Sequence, residues 1–312
     1  MQIDFTLATV ETERPQFTNK TLFHVGVSGG KDSAAALLWM IHESHIPREQ
    51  IRATFCDIGN DHPWTLAHVK LLSETVHPIQ TIYPDFGDLD ASRAGERLGF
   101  FELALFKKRF PSTKARFCTE YLKIYVTQRE VQRLKYEGWN VIAVNGVRAD
   151  ESDQRKNKPE WDYSANLFCY NWRPLIRWTV QDVFAIHNRH KIPLNPLYEI
   201  GAQRVGCWPC IMSRKAEIRI IALKFPERID EIRKAEQEFE NRYGRYASFF
   251  PAGSIPERFC TKPFKLKDGT WMNVATIDDV VRWSMTGERA QGSYLDDEPV
   301  KEPISCNSGF CE

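Results

Sequence analysis

Residues 24–33 read His-Val-Gly-Val-Ser-Gly-Gly-Lys-Asp-Ser, and the apolar run 34–41 follows them directly. This order predicts a β-strand that turns through glycines into the N-terminus of a helix. Backbone N–H groups at such a terminus point at the ligand, and the helix dipole favours negative charge there. Lys31 adds a mobile cation for phosphate oxygens. The stretch therefore predicts a site for a nucleotide phosphate.

The segments on either side of this stretch alternate between strand and helix patterns. We predict strands over 22–27, 51–56, 79–83, 140–145 and 168–177, and helices over 32–43, 63–76, 121–137 and 179–190. Strands separated by helices are typical of parallel βαβ units. The predicted fold is therefore α/β, with a doubly wound parallel sheet.

Changes in composition along the chain predict four parts. They are an N-terminal arm (1–20), a nucleotide-binding domain (21–200), a helical cysteine-bearing region (201–291) and an acidic tail (292–312). The length of 312 residues is enough for a large core in one or two domains.

Composition narrows the class of protein. The formal net charge of +1 argues against a generally basic coat for nucleic acid. No apolar run approaches the roughly 20 residues that span a bilayer, and the first residues lack the pattern of a secretory signal. We therefore expect a cytoplasmic protein whose eight cysteines are reduced, metal-bound or catalytic.

The glycine loop is not a Walker A loop, because its spacing from Gly26 is one residue short and Asp32 follows Lys31. Residues 28–33, Ser-Gly-Gly-Lys-Asp-Ser, instead resemble the PP-loop of the ATP pyrophosphatase superfamily. That superfamily cleaves ATP between the α and β phosphates. Within it, Asp57-Ile58-Gly59 resembles the acidic loop that borders the adenosine.

Further motifs resemble the phosphoadenosine phosphosulfate (PAPS) reductase family, in matching order over residues 21–225. They are Arg116-Phe117-Cys118-Thr119, Gly146-Val147-Arg148-Ala149-Asp150-Glu151-Ser152 with Arg155, Pro174-Leu175-Ile176-Arg177-Trp178-Thr179, and the closing segment 193–210. Reductases of the family lack the lysine-containing loop, which favours members that activate a substrate with ATP. The Gly-Cys-Trp-Pro-Cys element most resembles the sulfurtransferase subunit of DNA phosphorothioation systems.

The resemblance implies a set of site residues. Ser28, Gly29, Gly30, Lys31, Asp32 and Ser33 would surround the pyrophosphate, with Asp57 near the nucleoside and Gly146, Arg148 and Arg155 facing the anionic partner. Lys31, Asp32 and Arg148 would be catalytic, with Asp32 helping to hold Mg²⁺. Surface ion pairs with Glu151 or Asp153 are the alternative role for the two arginines.

Cys207-x-x-Cys210 alone is compatible with zinc, a redox pair or an iron–sulfur site. Cys118 is the best third ligand, because it follows a basic segment that should return to the ligand face. Cys260 is the best fourth, because its surroundings echo those of Cys118. Members of the superfamily that insert sulfur often use an iron–sulfur cluster, which favours [4Fe–4S] over Zn²⁺.

The remaining candidates have ordinary explanations. Cys56 and Cys169 are expected to be buried free thiols. Cys306 and Cys311, in the tail, are interpreted as a redox pair, cluster ligands or a disordered segment. His187 and His190 lie one helical turn apart, either as a metal pair or as solvated or capping residues.

We therefore predict an enzyme that uses ATP and Mg²⁺ to adenylate a substrate, releases pyrophosphate and supports sulfur transfer with a cluster. The expected partners are a cysteine desulfurase or thioredoxin, with DNA, tRNA, sulfate or a metabolite as acceptor. A first alternative is a reductase that converts PAPS or adenosine 5′-phosphosulfate (APS) to sulfite. A second is a non-catalytic nucleotide-sensing or DNA-binding module.

Overall fold

A six-stranded sheet lies at the centre of the fold, in a computed structural model that describes residues 13–266 and 268–286. The strands are β1 (Thr21–Gly26), β2 (Ile51–Cys56), β3 (Ile79–Ile82), β4 (Asn140–Val144), β5 (Trp161–Ser164) and β6 (Cys169–Trp172). Their order is β3-β2-β1-β4-β6-β5, and every neighbouring pair is parallel except β5 with β6. The predicted α/β class is confirmed, with an antiparallel strand at one edge.

Helices connect and cover these strands. They are α1 (Lys31–His42), α2 (Pro63–Thr75), α3 (Phe100–Phe106), α4 (Phe117–Thr119), α5 (Tyr125–Tyr136), α6 (Asp153–Lys156), α7 (Val180–Arg189), α8 (Lys215–Lys224), α9 (Pro226–Tyr243) and α10 (Ile277–Ser284). A capping box starts α7, because the Thr179 hydroxyl accepts from the Asp182 N–H at 3.2 Å and the Asp182 side chain accepts from the Thr179 N–H. Across the described ranges, no helix is long and apolar enough to cross a membrane.

α1 is buried on almost every side, as its sequence requires. Ala34, Leu37, Leu38 and Met40 are all inaccessible to solvent. A helix that is apolar all round has no face to give to water, so it packs into the interior. This burial fixes the N-terminus of α1 at the carboxyl end of β1.

A second hydrophobic core joins the middle of the chain to its C-terminal part. It packs Leu103 and Leu122 against Ile232, Phe239 and Phe249, all of which are almost fully buried. The core therefore crosses the boundary predicted near residue 200. That region also contains a hairpin, β7 (Lys262–Lys265) with β8 (Trp271–Val274). The acidic tail, with Cys306 and Cys311, lies outside the described residues.

The helix predicted over 121–137 is interrupted at its start. A π-helical turn, Glu120–Ile124, links α4 to α5. Such turns carry an extra residue within a helix and are frequent at functional sites. Here the turn buries Leu122 completely and brings Lys123 toward the cysteines described below.

Candidate functional site

The predicted phosphate loop lies where the strand order of the sheet reverses. Residues 27–33 follow β1, and residues 145–148 follow the neighbouring β4. From β1 the chain forms β2 and β3 on one side of this strand, and it then crosses to form β4 on the other side. In open α/β sheets the ligand crevice lies at this point, outside the carboxyl ends of the strands.

The loop is held in shape by its own two serines. The Ser28 N–H donates to Ser33 Oγ at 3.1 Å, and the two hydroxyls lie 3.0 Å apart. Ser33 Oγ also donates to the Gly30 carbonyl at 3.0 Å. Gly30, the N-cap residue, provides no side-chain cap for the first turn of α1, and the Lys31 N–H of that turn donates to the Tyr198 hydroxyl instead.

Two glycines allow the close packing of this loop. Gly29 has φ +80°, and a Cβ there would come within 2.6 Å of Thr65 Cγ2. A Cβ on Gly146 would lie 2.5 Å from the Asp32 carbonyl oxygen. Side chains at these positions would therefore separate the loop from α2 and from the segment after β4.

Asp32 holds the two predicted catalytic cations. Lys31 Nζ lies 2.7 Å from Asp32 Oδ2, and Arg148 Nε lies 2.5 Å from Asp32 Oδ1. Asp32 and Arg148 are both buried, and Arg148 also pairs with the more exposed Asp150. Burial alone would lower the pKa of Arg148, but the Asp32 carboxylate raises it above its usual range. The ion pairs therefore keep the guanidinium charged at the edge of the crevice.

The other predicted ligand residues have protein partners. Buried Arg155 pairs with Glu151, which was the alternative weighed from the sequence. Asp57 follows β2 and lies 2.7 Å from Arg97 Nη2. The charges of Asp57 and Arg155 are therefore both balanced by protein partners.

Three side chains from distant parts of the sequence contact the loop. Tyr198 and Asn195 were not singled out from the sequence, and His187 was considered only as part of a metal pair or as a solvated or capping residue. The Tyr198 hydroxyl accepts from the Lys31 N–H at 3.1 Å, and Lys31 Nζ lies 5.4 Å from the ring centroid. Asn195 Nδ2 donates to the Gly29 carbonyl at 3.2 Å. His187 Nε2 lies 2.9 Å from the Lys31 carbonyl. These contacts span more than 150 positions of sequence, so local patterns carry no signal for them.

A second cluster of candidate site residues lies near the end of β2. We call Cys118, Cys207, Cys210 and Lys123 the thiol group. Burial raises the pKa of Cys207 to about 12, with Lys123 acting in the opposite direction and Cys210 and Cys118 adding to the rise. Burial lowers the pKa of Lys123, yet Cys207 and Asp61 more than offset this and raise it. The three thiols and the ammonium therefore lie in one electrostatic environment.

Cys260, the predicted fourth ligand, packs against the same hydrophobic core as Cys118, Cys207 and Cys210, and its role as a ligand stays a prediction. Its charged neighbours are Asp279 and Glu257, and its Sγ lies 3.7 Å from the Pro256 carbonyl. Within residues 13–266 and 268–286, no group of three or more His, Cys, Asp or Glu side chains is already arranged around a metal position. The thiols of this group are ligands that a thiophilic metal prefers.

The remaining cysteine and histidine candidates lie in different parts of the structure. Cys56, expected to be an ordinary buried thiol, donates to the Leu122 carbonyl at 2.8 Å and so lies beside Lys123. His187 contacts the phosphate loop, whereas His190 stacks on His42 with ring centroids 4.3 Å apart. The two histidines therefore do not form the metal pair that their spacing allowed.

The fold and the loop define an α/β protein with an anion site at the switch point of its sheet. The chain matches the phosphoadenosine phosphosulfate reductase domain over residues 23–213. This match covers more than half of the 312 residues. The chain therefore belongs to the PAPS reductase domain family of nucleotide-binding PP-loop proteins.

The chain is also similar to individual proteins and to a solved structure. An uncharacterised 37.8 kDa protein of Escherichia phage 186 is 33% identical over 95% of this chain and 98% of its own length. An adenosine 5′-phosphosulfate reductase of Bacillus cereus is 26% identical, over 45% of this chain and 57% of that protein. A PAPS reductase structure from Candida auris, in a phosphate complex, aligns over 62% of this chain and 82% of its own, with a TM-score of 0.43 and 17% identity.

Proposed function

We propose that this protein binds ATP·Mg²⁺ at residues 28–33 and transfers its adenylate to an acceptor, with release of pyrophosphate. The observation that supports this most directly is the cation pair Lys31 and Arg148 around Asp32, at the N-terminus of α1. Cations beside the N-terminus of a helix suit a polyphosphate whose negative charge increases as a bond breaks.

In this reaction a nucleophilic atom of the acceptor attacks the α-phosphorus of ATP. The bond from that phosphorus to the oxygen bridging the α and β phosphates breaks, and pyrophosphate leaves with the electron pair. Lys31 would neutralise charge on the leaving group, and Arg148 would orient the adenylate by bidentate contacts. Asp32 would position both cations. Mg²⁺ would then be held chiefly by phosphate oxygens, as it commonly is in nucleotide sites.

The thiol group would support the later transfer of sulfur. A [4Fe–4S] cluster held there would supply electron transfer and a sulfur-binding metal, with Zn²⁺ as the alternative occupant. A cysteine desulfurase or thioredoxin would then be the protein partner. DNA, tRNA, sulfate or a small metabolite would be the acceptor.

The proposal is tested by the nucleotide products of the purified chain. With ATP, Mg²⁺ and candidate acceptors, we expect pyrophosphate and an adenylated product or AMP, and no formation of ADP. The control reaction supplies PAPS or APS with reduced thioredoxin and omits ATP. Rapid sulfite formation in that control would favour the reductase, which the named APS reductase relative makes the second candidate.

Tyr198 gives a separate prediction about the loop. Its hydroxyl accepts a hydrogen bond from the Lys31 N–H, and this N–H could otherwise donate to a phosphate oxygen of ATP. Because a hydrogen bond contributes about 0.5–1.5 kcal/mol, Tyr198→Phe should bind ATP up to about tenfold more tightly in calorimetric titration. Tyr163→Phe, at an exposed position of β5, is the matched control. Weaker binding by Tyr198→Phe would mean that the hydroxyl contacts the nucleotide itself.

A further inference from the structure

The segment after β2 forms hydrogen bonds with the turn that carries Cys207 and Cys210. The Trp208 N–H donates to the Asn60 carbonyl at 2.7 Å, and Asn60 Nδ2 donates to the Pro209 carbonyl at 3.2 Å. Asp61 forms an isolated antiparallel bridge with Cys207. Directly opposed residues of such a bridge have Cβ atoms about 4.5–5.5 Å apart, so the Asp61 carboxylate is a neighbour of the Cys207 thiol.

One oxygen of this carboxylate has no partner. Among the described residues, Asp61 Oδ2 and Asp162 Oδ1 are the buried side-chain oxygens without a hydrogen bond. Asp162 forms an ion pair through its other oxygen, with Arg173 at 2.8 Å, whereas Asp61 has a backbone hydrogen bond with Ile58. Leaving a buried acceptor unpaired costs about 1–3 kcal/mol, so such an atom requires an explanation.

Asp61 lies in the same charged environment as the thiols. Lys123 interacts with Asp61 and also with Cys207 and Cys210, so the carboxylate belongs to the same environment as the thiols. Cys118 in turn interacts with Cys210. A carboxylate oxygen and thiolates are both established ligands of Zn²⁺.

We propose that Asp61, and not Cys260, completes the metal site formed by Cys118, Cys207 and Cys210. This inference rests on the metal-binding part of the proposed function, and it replaces Cys260, the fourth ligand predicted from the sequence. The unpartnered Oδ2 is the donor atom, and Lys123 provides a positive charge that offsets the excess negative charge of three thiolates and a carboxylate. Since the ligand-free side chains are not prearranged, metal binding has to draw them together.

The test uses the full-length chain and measures metal rather than activity. Samples are reconstituted anaerobically with Fe²⁺ and sulfide, or loaded with Zn²⁺ alone, and the metal per chain and its retention against a chelator are determined. The variants are Asp61→Asn, Asp61→Cys and Cys260→Ser, with Cys207→Ala as the positive control for metal loss. Circular dichroism of each variant establishes that it is folded.

We expect Asp61→Asn to weaken metal retention by at least about tenfold, because even residues that only orient a ligand affect affinity by roughly 10–100-fold. Asp61→Cys should retain metal, which separates loss of a ligand from loss of folding, and Cys260→Ser should resemble the wild type. Unchanged retention in Asp61→Asn, or metal loss in Cys260→Ser, would overturn the assignment.

Two further outcomes separate this inference from the proposed function. A wild-type chain that takes up neither iron nor zinc would refute the metal site, and Asp61 as its ligand, while leaving pyrophosphate release to be judged by its own assay. Conversely, metal uptake that depends on Asp61 in a chain without ATP turnover would uphold the ligand and refute the adenylation.

Discussion

Lys31→Ala is expected to slow the release of pyrophosphate from ATP by about 100- to 1,000-fold, the usual effect of removing one preorganised charge-stabilising group. The ammonium lies beside the N-terminus of α1, where the leaving group would gain negative charge. Asp32 keeps its second partner, Arg148, so the fold should be little affected. The measurement is pyrophosphate release under saturating ATP and Mg²⁺.

Lys70→Ala is the matched control for this experiment. Lys70 is an exposed lysine of α2 whose distance to Glu74 is 3.9 Å, so its loss should leave turnover unchanged. Weaker nucleotide binding by Lys31→Ala, combined with no turnover in the wild type, would identify a non-catalytic nucleotide sensor. Full turnover in Lys31→Ala would contradict the role proposed for the lysine.

The parallel part of the sheet could be predicted because its strands are continuous apolar runs. β2 was predicted with its observed bounds, and the predicted start of α2 at residue 63 is also observed. β5 was not predicted, because Trp161–Ser164 is short and half polar, and it adds to the sheet only by antiparallel pairing with β6. Antiparallel edge strands of this kind are common on parallel sheets, but they have no strong local signal.

The residues of the candidate site also differ in how far the sequence predicts them. The phosphate loop is a continuous string of residues, so its position between a strand and a helix could be predicted, and the fold has it between β1 and α1. The contacts of Tyr198 and Asp61 depend on segments that meet only after folding. The role of Cys260 as a ligand stays a prediction, because the likeness of its neighbours to those of Cys118 is a local pattern and does not locate the thiol. The charged residues that affect its pKa are Asp279 and Glu257, whereas Cys118 interacts with Cys210.

The largest loss of stability is expected from Asp32→Asn. Asp32 is buried between Lys31 and Arg148, and removing one partner of a buried ion pair typically costs about 3–5 kcal/mol. The asparagine keeps the shape of the side chain but leaves the Arg148 guanidinium without its buried counter-charge. The free energy of unfolding in urea is the measurement.

Asp150→Asn provides the control, because Asp150 pairs with the same guanidinium from a half-exposed position. Its loss should cost less than about 1 kcal/mol, as is usual for exposed pairs. Arg148→Met combined with Asp32→Asn should cost less than the sum of the single changes, because both remove the same interaction. Additive losses, or equal effects of the two asparagine variants, would show that Asp32 does not hold the cations together. In that case the place of Asp32 in the loop would have to be explained by contact with the nucleotide, and the role of Asp32 as a positioning residue would be wrong.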